Sequence, residues 1–146
     1  MVERAACVGL GSLLPDLPVV SSDERKAVET ADALGRDFFI DSRLREVSRP
    51  WIQDPNKFHA DTRRYLAGDA LAGWEPQSEA LARFAEAADG IVVSHGTVMS
   101  LFVASRIRID PVRFWSRLTF PDAWEVGGSE RPLRKVSGAP GSELSG

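Results

Sequence analysis

Short β-branched runs alternate with helix-patterned segments along this chain, and no other feature limits the possible fold as strongly. The runs are residues 17–22 (LPVVSS), 37–44 (DFFIDSRL) and 91–96 (IVVSHG). Their length and β-branched or aromatic content predict strands. Residues 23–35 (DERKAVETADALG), 76–90 (PQSEALARFAEAADG) and 97–107 (TVMSLFVASRI) carry a helical period. Ser22 or Asp23 suits the N-cap of the first of these helices, and Gly35 and Gly90 suit helix stops. Residues 2–14 have a looser helical period that ends at Pro15, because a ring without an N–H rarely continues a helix. Residues 110–120 read as a helix opened by Asp110-Pro111. Residues 123–126 and 132–136, on either side of Gly127-Gly128, predict a short hairpin.

Strands that alternate with helices predict an α/β fold with a mostly parallel sheet covered on both faces. A length of 146 residues fits one domain with a sizeable core. That domain is expected over 1–136, followed by a Gly/Ser/Pro-rich tail over 137–146 that is expected to be disordered. Residues 45–75, with Pro50, Pro55 and Gly73, form a long and partly helical excursion between two elements. Internal repeats are absent.

Several function classes drop out on composition. A net charge of −3 without a basic cluster gives no electrostatic reason to expect nucleic acid. Cys7 is the only cysteine, so neither an internal disulfide nor a cysteine metal cluster can form, and no metal or cofactor is expected. The longest apolar run is too short to span a membrane, and the start lacks a basic-then-apolar signal pattern. A cytoplasmic location is the expectation. Gly9-Leu10-Gly11 does not make a nucleotide loop, since no strand precedes it and no third glycine follows at the required spacing. Trp51, Trp74, Trp115 and Trp124 read as core and lid packing rather than base-stacking platforms.

Ligands of parallel α/β sheets collect at the carboxyl ends of the strands. Two polar clusters fall there, Ser21-Ser22 and Ser94-His95-Gly96, and each is followed by a helix. A helix N-terminus presents unpaired N–H groups and a positive dipole end, which suits an anion such as phosphate.

Four motifs, in order, resemble the histidine phosphatase superfamily, which includes the phosphoglycerate mutases. Residues 21–31 (SSDERKAVETA) look like its Ser-Ser/Pro-x-x-[Arg/Lys]-Ala-x-x-Thr-Ala segment. Residues 41–51 (DSRLREVSRPW) resemble its Asp-x-x-Leu-x-Glu segment. Residues 90–104 (GIVVSHGTVMSLFVA) resemble its second-histidine strand, and 117–126 (RLTFPDAWEV) the segment before its last strands. The resemblance covers residues 2–126. It implies a three-layer, phosphoglycerate mutase-like sandwich and phosphoryl transfer through a phosphohistidine. A first histidine, in an Arg-His-Gly motif at the end of strand one, attacks phosphorus. A second histidine and cationic groups hold the phosphoryl oxygens, and a carboxylic acid protonates the leaving oxygen.

Carried across by residue, His95 matches the second histidine and Lys26 the cation of the Ser-Ser segment, a position where arginine is commoner. Ser21, Ser22 and Gly96 flank the expected phosphate. Glu46 matches the candidate proton donor, although its neighbours Arg45 and Arg49 suit an ion-pair role equally. No Arg-His-Gly occurs in the chain, and His59, the other histidine, lies in the 45–75 excursion. The resemblance therefore places residue 2 in the helix after strand one, with the first strand and its nucleophile missing from this sequence. Two function classes follow. One is a phosphatase-type enzyme acting on a small phosphate ester. The other is a non-catalytic domain that binds an anion or a partner in the residual pocket. A missing central strand also implies self-association.

Overall fold

The computed structural model describes residues 13–119, 123–126 and 133–136. Three parallel strands, β1 (Val19–Ser21), β2 (Phe38–Ile40) and β3 (Ile91–Val93), form a sheet in the order β2-β1-β3. The chain leaves β1 for β2 on one side and returns to β3 on the other. Ser21 pairs in register with both Ile40 and Val93, so the carboxyl ends of all three strands lie level. A change of winding direction of this kind opens a crevice at the strand ends. Here that crevice lies between the segments that follow β1 and β3.

The pleat separates the strand side chains onto two faces. Val19 and Val93 pack with Ala27 and Ala31 of helix α1 (Arg25–Ala33) on one face, with Phe38 and Ile91 at the margin. Val20 and Val92 turn to the other face, against the larger core of Leu44, Val47, Tyr65, Leu66, Trp74, Ala80, Phe84, Val98 and Leu101. These residues come from α2 (Pro55–Leu66), α3 (Gln77–Ala87), α4 (Gly96–Ile107) and the segments between them. Helices thus cover β1 and β3 on both faces, whereas Phe39 and Ile40 of β2 are largely exposed. A third cluster, Val103, Phe114 and Leu133, joins α4 to α5 (Pro111–Ser116) and to an antiparallel hairpin of β4 (Trp124–Val126) and β5 (Leu133–Lys135).

The 37–44 strand is shorter than the sequence predicts. It stops at Ile40 because the Asp41 side chain accepts the Arg43 N–H at 2.9 Å and starts a 3-10 turn, Ser42–Leu44. The helix expected over 110–120 is likewise confined to Pro111–Ser116 and gives way to a turn at Arg117, although Asp110 caps it as the Asp-Pro pair predicts. Ser22 does not cap α1 in the standard way. Glu24 occupies the N-cap position, and its N–H reaches Ser22 Oγ at 3.2 Å. The Gly35 and Gly90 stops are both left-handed, with φ of 77° and 67°.

The 45–75 excursion folds against the large core. Trp74 is buried there, but Trp51 is 90% exposed, so its reading as packing is incorrect. Pro50 is exposed as well, whereas the next residue after Trp51, Ile52, packs against the large core. His59 is an exposed residue of α2 whose ring lies 4.7 Å from that of Trp115. The helix expected over 2–14, apart from its last residues, and the tail expected over 137–146 lie outside the described residues.

Candidate oxyanion site

Level strand ends bring Ser22, directly after β1, beside Ser94-His95, directly after β3. The Ser22 N–H donates to the Val93 carbonyl at 2.9 Å, which extends the ladder by one residue and fixes this relationship. His95 Nε2 then lies 2.9 Å from Ser22 Oγ. Ser22 is fully buried, and the His95 side chain is 13% exposed. Two residues 73 positions apart thereby form one polar site.

A third residue completes it. Glu24 Oε2 lies 3.1 Å from the same His95 Nε2. This is not a nucleophilic triad, because such a triad needs the hydroxyl and the acid on opposite ring nitrogens. Here both crowd one nitrogen, so the serine gains no base oriented from behind. The group offers instead a ring N–H, a hydroxyl and a carboxylate around one small volume.

The other expected residues take different places. Ser21 is buried, but its hydroxyl donates to the Ser22 carbonyl at 2.8 Å, so its side chain secures the strand end. Lys26 lies exposed in the first turn of α1 and makes no hydrogen bond to Ser22 or His95. Gly96 is the first residue of α4, and its carbonyl accepts the Ser100 hydroxyl at 2.6 Å. Ser94 is a strut, since its hydroxyl donates to the Leu44 carbonyl at 2.5 Å.

Glu46 is also a strut. Its Oε1 accepts the N–H groups of Val47 at 2.9 Å and Val98 at 2.8 Å, and its Oε2 accepts that of Thr97 at 3.1 Å. The carboxylate thus caps the positive end of α4. Two of the α4 N–H groups expected to face a phosphate, those of Thr97 and Val98, donate to Glu46 instead. Beneath it, Arg83 fixes the same segment. It donates to the carbonyls of Arg43, Arg45 and Glu46 and to the carboxylate of Glu75. The guanidinium of Arg83, bonded to Glu75, holds that carboxyl below its usual range.

Sequence reasoning missed Glu24, which reads locally as one more charge on a helix face. Its position two residues after Ser22 was the only available signal. Among the described residues, no group of three or more His, Cys, Asp or Glu side chains is arranged to hold a metal ion.

The chain matches no protein-family model and no curated protein. Its fold, however, is shared by solved structures. TTHB049 from Thermus thermophilus aligns over 93% of this chain and 82% of its own, with a TM-score of 0.65 at 24% identity. A mycobacterial glucosyl-3-phosphoglycerate phosphatase, solved with inorganic phosphate, aligns over 77% of this chain and 69% of its own, with a TM-score of 0.56 at 24% identity. A mycobacterial hydrolase is matched over 61% of its length, at a TM-score of 0.58. One of these neighbours is named a glucosyl-3-phosphoglycerate phosphatase and another a hydrolase. The fold of this chain is the phosphoglycerate mutase-like α/β fold.

Proposed function

We propose that this chain is a histidine phosphatase-type domain that binds phosphate or a small phosphorylated molecule between Ser22 and His95 and does not hydrolyse phosphate esters. The observation that carries the reading is the 2.9 Å approach of His95 Nε2 to Ser22 Oγ at the adjacent strand ends. Both groups can donate to an oxyanion, and the site is largely shielded from water, where such hydrogen bonds are stronger. The mycobacterial phosphatase was solved with inorganic phosphate and, separately, with VO3, which supports an oxyanion as the ligand of this fold.

Inactivity rests on the absence of an Arg-His-Gly motif from the sequence. In-line attack on phosphorus requires a nucleophile opposite the leaving oxygen. His95 is ill placed for that role, because an Nε2 that donates beside Ser22 and Glu24 has no lone pair to attack with, and an error of about 1 Å in the line of attack can cost about 100-fold. Residues that act as a unit lose most of their effect when one is absent. Glu46 adds no proton donor in this reading, since both of its oxygens are engaged by backbone N–H groups. A cytoplasmic location and the absence of a nucleic-acid partner belong to the same proposal. No helix among the described residues is long and apolar enough to cross a membrane.

Calorimetric titration with inorganic phosphate tests the binding. The expected result is weak binding that His95→Ala and Ser22→Ala each reduce by roughly tenfold or more, the equivalent of one charge-assisted hydrogen bond. Binding indifferent to both substitutions would refute the site.

A further inference from the structure

Glu24 places a carboxylate inside a site read as anion-binding, which is the wrong charge for a simple phosphate clamp. Its Oε2 is 3.1 Å from His95 Nε2, while its own backbone N–H is bonded to Ser22 Oγ at 3.2 Å. That backbone bond fixes the root of the side chain beside Ser22. The side chain itself is 46% exposed, so it has room to shift but not to leave the vicinity. As the side chain is placed here, an oxyanion that reaches His95 Nε2 lies beside this carboxylate.

A carboxylate accepts hydrogen bonds and donates none when ionised. Sulfate also only accepts, so the two repel. Hydrogenphosphate has the same shape and the same double charge as sulfate, but one of its oxygens carries a proton. That O–H can donate to Glu24 while the remaining oxygens accept from His95 and Ser22. A site built to bond a hydroxyl rejects an analogue lacking it, because its own polar group is then left unpaired.

We propose that Glu24 is a specificity-determining residue that makes the pocket select oxyanions carrying an O–H, such as inorganic hydrogenphosphate. Sulfate and the fully ionised form of a phosphate monoester, whose free oxygens carry no proton, are disfavoured. The selection rests on the oxyanion reading above and refines it. Partial exposure of Glu24 limits the discrimination to roughly tenfold, since water screens a half-exposed charge.

The test is competitive titration of the full chain with inorganic phosphate and with sulfate, at matched ionic strength and neutral pH. The variants are Glu24→Gln, His95→Ala and, as a control on the same helix, Glu29→Gln. The wild type and E29Q are expected to prefer phosphate to sulfate by roughly tenfold. E24Q should bind sulfate roughly tenfold more tightly and bring the two anions close to parity. H95A should weaken both anions together. If the wild type shows no preference, or E24Q leaves the ratio unchanged while H95A still abolishes binding, Glu24 selection is wrong and the oxyanion site stands. If E24Q binds neither anion, both are wrong.

Discussion

Glu46 Oε1 lies 2.8 Å from the backbone nitrogen of Val98, although the two residues are 52 positions apart. With the contacts to Thr97 and Val47, this bond ties the segment after the 3-10 turn to the first turn of α4. His95 is the N-cap of α4, so the bond also fixes the backbone on which the oxyanion site is built.

Replacing Glu46 with Gln should therefore destabilise the domain. The amide would keep the shape but turn one acceptor into a donor facing a backbone N–H. A loss of about 1–2 kcal/mol is expected, the range for a helix cap with a charge-assisted bond. Urea denaturation would measure it. Phosphate affinity of the folded variant should change by less than about threefold, because that loss lies outside the His95–Ser22 contact.

Gly90 offers a backbone test. It adopts φ +67°, and a Cβ there would lie 2.5 Å from the Pro18 carbonyl oxygen, which already accepts the Ile91 N–H. Gly35 has φ +77°, but a Cβ there meets nothing within 4 Å. Gly35→Ala should cost about 1–2 kcal/mol, the left-handed penalty alone. Gly90→Ala should cost clearly more, because it also forces β3 away from β1. Equal losses in thermal melts of the two variants would contradict the close approach of the Gly90 turn to Pro18.

Acid should weaken the Arg83 clamp through Glu75. The hydrogen-bonded Arg83 guanidinium, with the Ser48 N–H, lowers the Glu75 pKa from 4.5 against the opposing effect of burial. A depressed folded value means that the contribution is fully present above pH 4.5 and is lost as the pH falls below it. Glu75→Gln should flatten that part of the stability profile. An unchanged slope between the wild type and the variant would show that the loss at low pH arises elsewhere.

Much of this arrangement was legible in the sequence. The β-branched runs gave β1 and β3, the two glycines gave the turns that end α1 and precede β3, and the strand-end rule located Ser22 and His95. The contacts of Glu24 and Glu46 were not legible. Both residues sit in charged stretches whose local pattern resembles a solvated face. Their partners, 71 and 51 or 52 positions away, are set by the level strand ends and not by any spacing along the chain. The early end of β2 was hidden for a related reason. Asp41 ends the strand through its own side chain, whereas the sequence pattern registers only the apolar run that precedes it.

Strand pairing leads to a prediction about association. Among the described residues, β3 pairs with β1 alone, and β4-β5 form a separate sheet. An unpaired strand edge is a template for another chain. Sedimentation velocity should show association that increases with protein concentration. A wild-type monomer at all concentrations would contradict the association.

Phosphorus NMR of one sample containing inorganic phosphate and a generic phosphate monoester reports both binding at Ser22–His95 and hydrolysis. The phosphate line should broaden with the wild-type chain and sharpen again with His95→Ala, and the ester signal should stay constant throughout. An unperturbed phosphate line would contradict the Ser22–His95 site. Conversion of the ester to phosphate that stops with His95→Ala would show instead that this chain turns over its substrate.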